Sequence, residues 1–365
     1  MIGVVDAFSA SYRQARVKFL EAAAIAGLTV DSRIHPELGR DGETLAMDVA
    51  LDGPANAERL LIVSSACHGV EGFCGSGVQV FALHDADWRA LARERGVAVL
   101  YVHALNPHGF SHIRRATHEN VDLNRNFQDF SKPLPVNEAY RALHPLLLPA
   151  HWPPDQANTA AVGQFVASQG VQALQAAVTR GQHEFADGLF FGGTAPTWSN
   201  VTLRQVLREH AGKASQIGWI DLHTGLGPSG IGERICACRD DAAALARARA
   251  WWGSEGAQVT SIYDGSSTSA FLTGLMCNSI YDECPAAEYT GMAMEYGTLP
   301  PLEMMQALRA AHWLNLHRDA PVELADQIRQ QTMDAFYVDT DAWKGQVISQ
   351  ARQALFQAAQ GLARP

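Results

Sequence analysis

The 365-residue chain has no uninterrupted apolar run of about 18 residues, the length a membrane-spanning helix needs. Its opening stretch also lacks the basic start, apolar centre and small-residue cleavage pattern of a secretory signal, so a cytoplasmic location is the expectation. Charge is scarce at 18% of residues, and basic charge is scarcer. With 28 Lys+Arg against 38 Asp+Glu the formal net charge is -10, which argues against nucleic acid or an anionic membrane surface as the main partner. Cysteine is sparse too. The six, at positions 67, 74, 236, 238, 277 and 284, include no Cys-x-x-Cys pair, which excludes a thiolate-built structural zinc site. They read as reduced, buried small hydrophobes, with Cys236 and Cys238 two apart on one face of a strand.

Apolar material is plentiful. At 47% hydrophobic residues the chain can bury a large core and is too apolar for a disordered segment. Dividing the length by about 150 residues suggests roughly two domains. The lack of a low-complexity linker favours one elaborated domain over residues 1–365 instead. Phe8, Tyr12, Val17, Phe19 and Leu20 recur at helical spacing over 7–26, and Gly27 is a stop. Short apolar or alternating stretches over 44–51, 60–66, 97–105 and 217–222, bounded by Gly, Pro, Asn or Asp, read as strands. Helical patterns over 77–95, 158–179, 202–211 and 242–252 fall around them. The alternation predicts an α/β fold with a mixed, mainly parallel central sheet flanked by helices. The proline-dense segment 132–157 reads as an irregular insertion able to shape a pocket, and 301–365 as a helical C-terminal cap packed on the sheet, with helices over 302–316, 322–335 and 340–362.

The strand at 60–66 runs into Cys67-His68-Gly69-Val70-Glu71-Gly72. His68 and Glu71 therefore sit at the carboxyl end of a strand, the edge at which open α/β sheets bind ligands. A His and a Glu three apart can converge on one cation, a donor set that suits zinc. Alone the pair is a weak signal, because surface or helix-capping residues share the spacing. The strand at 217–222 runs into Asp221-Leu222-His223, delivering another His to such an edge, although a satisfied core histidine would look the same. Two His and one Glu with an open position make up a catalytic zinc site, whose bound water is acidic enough to react near neutral pH.

Between these points lie Asn106-Pro107-His108-Gly109, Arg114-Arg115 and Asp122-Leu123-Asn124-Arg125-Asn126. Arg125 offers a bidentate fork to a carboxylate, Asn124 an amide donor, and Arg114 or Arg115 a cation for a developing oxyanion. By composition the same string is a polar loop. His103, His108, His112 and His118 surround it, and their spacings define no second metal site.

Taken in order, His68-x-x-Glu71, the Asn-Pro-x-Gly turn, Asp122-Leu123-Asn124-Arg125-Asn126, His223 and Glu295-Tyr296-Gly297 resemble the zinc carboxypeptidase superfamily, which includes the aspartoacylase and succinylglutamate desuccinylase group. Within it the chain is most similar to a little-characterised bacterial carboxypeptidase-like branch. The resemblance implies one catalytic domain with one Zn2+ per chain held by His68, Glu71 and His223, and Glu295 as general base beside a zinc-activated water. It further implies that Asp122 receives the other ring N–H of His68, and that Asn124 and Arg125 hold a terminal carboxylate of the substrate. Arg115, or Arg114 in its place, would polarise the scissile carbonyl, and Glu288 is the nearest competitor of Glu295. Neither Tyr281 nor Tyr289 matches the mobile tyrosine of the digestive members.

The activity so implied is hydrolysis of an amide bond by a metallocarboxypeptidase acting on short or modified peptides. An N-acyl amino acid deacylase would use the same residues on a smaller amide that also carries a free carboxylate. A non-catalytic metal- or peptide-binding protein would keep the scaffold without needing Glu295. Apolar helices near the end leave a homo-oligomer open.

Overall fold

Eight strands are formed in the computed structural model, which describes residues 2–254 and 256–364. They are β1 (Val30–Leu38), β2 (Thr44–Asp52), β3 (Arg59–Ser65), β4 (Val97–His103), β5 (Gln216–Ser229), β6 (Gly232–Cys236), β7 (Val259–Thr260) and β8 (Glu288–Gly297). The sheet order is β1-β2-β4-β3-β5-β8-β6-β7. The four central strands β4, β3, β5 and β8 run parallel, β1–β2, β2–β4 and β6–β8 are antiparallel pairs, and β7 runs parallel to β6 at the edge. This is the mixed, mainly parallel α/β sheet expected. Every residue of β4, and all of β3 except Arg59, is buried, which is why these segments read as continuous apolar runs.

The chain leaves β3 toward β4 on one side, while β5 lies on the other. Such a reversal of strand order opens a crevice at the carboxyl ends of β3 and β5, where ligands bind in open α/β sheets. Helices Gly72–His84 and Asp341–Leu362 pack against both strands. Val347, Ala351, Leu355 and Leu362 of the last helix belong to the same buried cluster as Leu61, Ile62 and Trp219. Among the described residues no helix is long and apolar enough to cross a membrane.

Several elements differ from the sequence expectation, each for a local reason. The helix expected over 77–95 is two, Gly72–His84 and Ala86–Glu94, because Asp85 leaves helical geometry (ψ 96°) and its carboxylate accepts the N–H groups of Asp87 and Trp88 as a new N-cap. The helix expected over 158–179 breaks at Gly170, whose φ is 88°. β1 has a single buried residue, His35, and contains Pro36, so it shows neither alternation nor an apolar run. The insertion over 132–157 is not wholly irregular: Asn137 accepts the Tyr140 N–H and starts helix Glu138–Leu147. Tyr140, Leu143 and Leu147 of this helix pack with Leu174, Val178 and Phe190 in a second buried cluster.

Because Leu355 lies in the main core and is only 3% exposed, Leu355→Ala is expected to lower unfolding free energy by about 2–5 kcal/mol in urea denaturation. A loss below about 0.5 kcal/mol, the size of a surface substitution, would mean that the last helix is a detachable cap.

Candidate metal centre

β3 ends in a strained turn. Ala66 has φ 57°, and Ala104 at the end of β4 has φ 59°, a left-handed conformation that costs an L-residue about 1–2 kcal/mol. The two turns brace each other, with Leu105 N–H donating to Ser65 O (3.0 Å) and Asn106 N–H to Ala66 O (2.9 Å). His68 follows, then a 3-10 turn over Gly69–Glu71. A Cβ on Gly69 would lie 2.1 Å from the Gly109 carbonyl carbon, so only glycine lets this loop touch the Asn106-Pro107-His108-Gly109 turn. That turn has a structural task. Asn106 accepts the Gly109 N–H (2.8 Å) and donates to Arg115 O (3.2 Å), while Arg115 O and Arg114 O accept the Gly69 and Val70 N–H groups at 3.1 and 2.9 Å. The arginine loop is thereby fastened to the His68 loop.

The structure brings His68, Glu71 and His223 together, all buried, with one donor atom of each within 4.8 Å of the others. Nδ1 of His68 is 2.9 Å from Glu71 Oε1, and Nδ1 of His223 is 2.9 Å from Oε2. Each imidazole is anchored at its far nitrogen. His68 Nε2 lies 3.3 Å from Asp122 Oδ1, and His223 Nε2 lies 2.6 Å from Asp221 Oδ2. Asp122 is thus brought beside the His68 ring. The partnership of Asp221 was missed, although Asp-x-His on a strand puts both side chains on one face. Ser64 Oγ donates to Asp221 (2.5 Å) and accepts from Trp219 Nε1 (2.7 Å), which fixes the aspartate.

Of the two arginines, Arg115 faces this cluster. Its Nη1 donates to Glu71 Oε1 (3.1 Å), its Nε to Asp122 Oδ2 (2.9 Å), and its Nη2 lies 2.7 Å from His68 Nε2. Arg114 turns the other way and donates to Asn120 Oδ1 (3.0 Å). Glu295 pairs in register with His223 across β5 and β8, and its Oε1 accepts the Leu226 N–H (3.1 Å). Glu288 lies at the opposite end of β8, exposed and level with Gln216.

Four carboxyl groups (Glu71, Asp122, Asp221 and Glu295) stand here with two guanidiniums (Arg115 and Arg125) and two imidazoles, a concentration of acids that suits a cation. Titration behaviour reflects this crowding. Burial alone would hold His223 neutral, but Asp221 and Glu71 outweigh it and raise its pKa well above the usual imidazole value. Burial likewise pushes Glu71 upward, yet His68 and His223 overcome this and hold its carboxyl well below the usual range. Burial, reinforced by the Glu71 charge, pushes Glu295 up to about 8 against the pull of His223 and Arg115. The donor set, two imidazole nitrogens and a carboxylate with aspartates behind the histidines, fits zinc in chemistry and in its outer support.

The cluster opens on a cavity of about 130 Å³ that also exposes Asn124 and Arg125. Arg125 is 3% exposed, donates through Nε to Thr179 O (3.0 Å), through Nη2 to the same oxygen and through Nη1 to Asn124 O (2.9 Å), and lies over the Phe190 ring. These bonds occupy three of its five N–H groups. The Asn124 carbonyl accepts the Met276 N–H (2.8 Å), leaving its amide as the donor end. Elsewhere the cavity wall is apolar, with Leu174, Trp219, Ile262, Leu275, Met292 and Phe336. These come from elements far apart in the chain, and the sequence reading had assigned none of them. Tyr289 belongs to the wall, but its hydroxyl donates to Ala237 O (2.9 Å). All six cysteines are buried and unpaired. His103, His108, His112 and His118 form no converging donor group among the described residues; His103 is a core residue, bonded to Ser76 and stacked on Phe19.

No curated protein matches the sequence. Among solved structures the chain is similar to thrombin activatable fibrinolysis inhibitor, at 12% identity and a TM-score of 0.47 over 88% of this chain and 74% of that one. The bovine form of that protein, in complex with tick carboxypeptidase inhibitor, is similar at 11% identity and a TM-score of 0.46, over 88% of this chain and 98% of that one. A metallo-carboxypeptidase from Burkholderia cenocepacia is similar at 11% identity and a TM-score of 0.39, over 84% of this chain and 69% of that one. With residues 8–350 matched, the chain belongs to the family described as "Protein of unknown function (DUF2817)".

Proposed function

We propose that the protein is a zinc-dependent amide hydrolase of metallocarboxypeptidase type, removing an apolar residue from the carboxyl end of a short or modified peptide. The observation that carries this reading is the convergence of His68 Nδ1 and His223 Nδ1 on the two oxygens of Glu71, with Glu295 alongside and an apolar cavity in front. These three side chains would hold the zinc, which would supply Lewis-acid polarisation and make a nearby water more acidic. Asp221 holds the Nε2 proton of His223, and Asp122 would hold that of His68 once Arg115 withdraws from Nε2, so that each Nδ1 would present a lone pair. Glu295, ionised once a cation held at the site offsets the burial and the Glu71 charge that raise its pKa, takes the proton of the attacking water and passes it to the leaving nitrogen. Arg115, drawn away from Glu71 as that carboxylate is engaged, donates to the carbonyl oxygen on which charge develops. The two remaining N–H groups of Arg125 and the Asn124 amide receive the terminal carboxylate, and the apolar wall takes the side chain next to it and excludes water.

Protein purified without added metal is expected to hold about one zinc per chain by elemental analysis, and His68→Ala and His223→Ala each to lose it, since three donors become two. Unchanged zinc in both variants would remove the site. Glu295→Gln is expected to keep its zinc while turnover falls about 10²–10⁴-fold; equal turnover in the variant would return the protein to a metal- or peptide-binding role. A panel of blocked dipeptides and N-acyl amino acids tests the substrate. Peptides ending in Phe or Leu should be cleaved and their amidated forms resist. Cleavage that survives amidation contradicts docking on Arg125, and turnover of N-acyl amino acids alone selects the deacylase.

A further inference from the structure

Behind the arginine loop lies a second, larger space of about 630 Å³, a chamber open to solvent and bordered by the β1–β2 turn, the segment 108–118 and the helices Pro301–Leu316 and Val322–Phe336. Its charge is one-sided. Arg40, Arg114, Arg318 and Arg329 line it together with His108 and His112, and Glu37 is the one acid in the wall. Arg329 pairs with Asp326 (2.8 Å) and Arg40 with Asp41 (3.4 Å). Arg114 and Arg318 have no carboxylate partner among the described residues, and Arg114 makes its side-chain bond to neutral Asn120. His108 Nδ1 and His112 Nε2 are buried without a hydrogen-bond partner, in rings stacked 4.1 Å apart. Arg114, with no carboxylate partner and with Arg318 as its nearest charge, favours an anion in this space. Titration agrees: burial, then Arg318, pushes Arg114 down to about 10, and burial, then His112 and Arg114, pushes His108 down to about 2.

The chamber adjoins the candidate metal centre. A small cavity lined by Arg114, Arg115, Asp122 and Phe190 shares walls with both spaces. Arg114 and Arg115 are consecutive residues with side chains facing opposite compartments, and their carbonyls accept the N–H groups of Val70 and Gly69, inside the loop that carries His68 and Glu71. We infer that this chamber is an anion-binding site for a multiply charged phosphate- or carboxylate-bearing group, held by Arg114 and Arg318. Guanidinium forks match both oxyanions. Such a group could reside on the far end of the substrate or be a free anion, and in either case it pulls on the backbone that supports the metal loop.

The test is calorimetric titration of the full-length protein with inorganic pyrophosphate at low salt, which needs neither zinc nor turnover and so stands apart from the hydrolase reading. Saturable binding is expected, with Arg114→Gln and Arg318→Gln each weakening it about tenfold or more, as loss of a charge-assisted bond predicts. Arg239→Gln, altering a surface residue elsewhere, should bind as the parent does. Arg318 is exposed in the turn between two helices, so its variant reports even if Arg114→Gln misfolds. No saturable heat, or equal binding by Arg318→Gln, overturns the site. The source of the group, which does rest on the hydrolase reading, follows from kcat/KM. A loss in Arg318→Gln confined to peptides with an acidic blocking group marks a substrate-borne anion, whereas a change in turnover of neutral peptides on adding pyrophosphate marks a free one.

Discussion

Two imidazoles share one buried carboxylate, and most of the architecture is needed to make them do so. Glu71 stands 152 residues before His223, and its two oxygens can each face a different histidine only if β3 and β5 lie side by side, parallel and in the observed register. The register places Ser64 beside Asp221, so the residue that steadies the His223 aspartate comes from the same strand that leads to His68. Adding β8 beyond β5 sets Glu295 level with His223. A slip of one residue in either pairing would turn these side chains to the opposite face of the sheet.

The parts of this arrangement that were legible in the sequence are those whose chemistry and spacing are local. His68 with Glu71, Asp122 with Arg125, and His223 at a strand end each leave a short pattern, and buried parallel strands announce themselves as apolar runs. Asp221 was within the quoted string and carried a signal, the two-residue period of a strand, which went unused. β1 was hidden because an exposed edge strand with one buried residue and a proline follows no hydrophobic rhythm. The breaks at Asp85 and Gly170 depended on a cap and a positive φ inside otherwise continuous helical patterns. The apolar wall of the cavity could not be read at all, since Leu174, Ile262, Met292 and Phe336 become neighbours only in the folded chain.

Arg114 and Arg115 illustrate the limit of spacing. Both fit a cation near the carbonyl, and nothing in two adjacent letters says which points where. The choice is made by the backbone: the Asn106 turn fixes the carbonyls of both residues against the Gly69–Val70 amides, and successive side chains then diverge. One guanidinium enters the acidic cluster and is stabilised there by Asp122 and Glu71 despite burial, while the other is left among cations.

The helix Asp341–Leu362 has a bearing on how the protein is made. It packs on β3 and β5, the strands that carry the two histidines, and also on the opening helix Val4–Ala7. Contacts of such long sequence separation cannot form until residues 341–362 have left the ribosome. Until then the apolar surface of β3 and β5 is only partly covered, by helix Gly72–His84, and the exposed remainder favours aggregation.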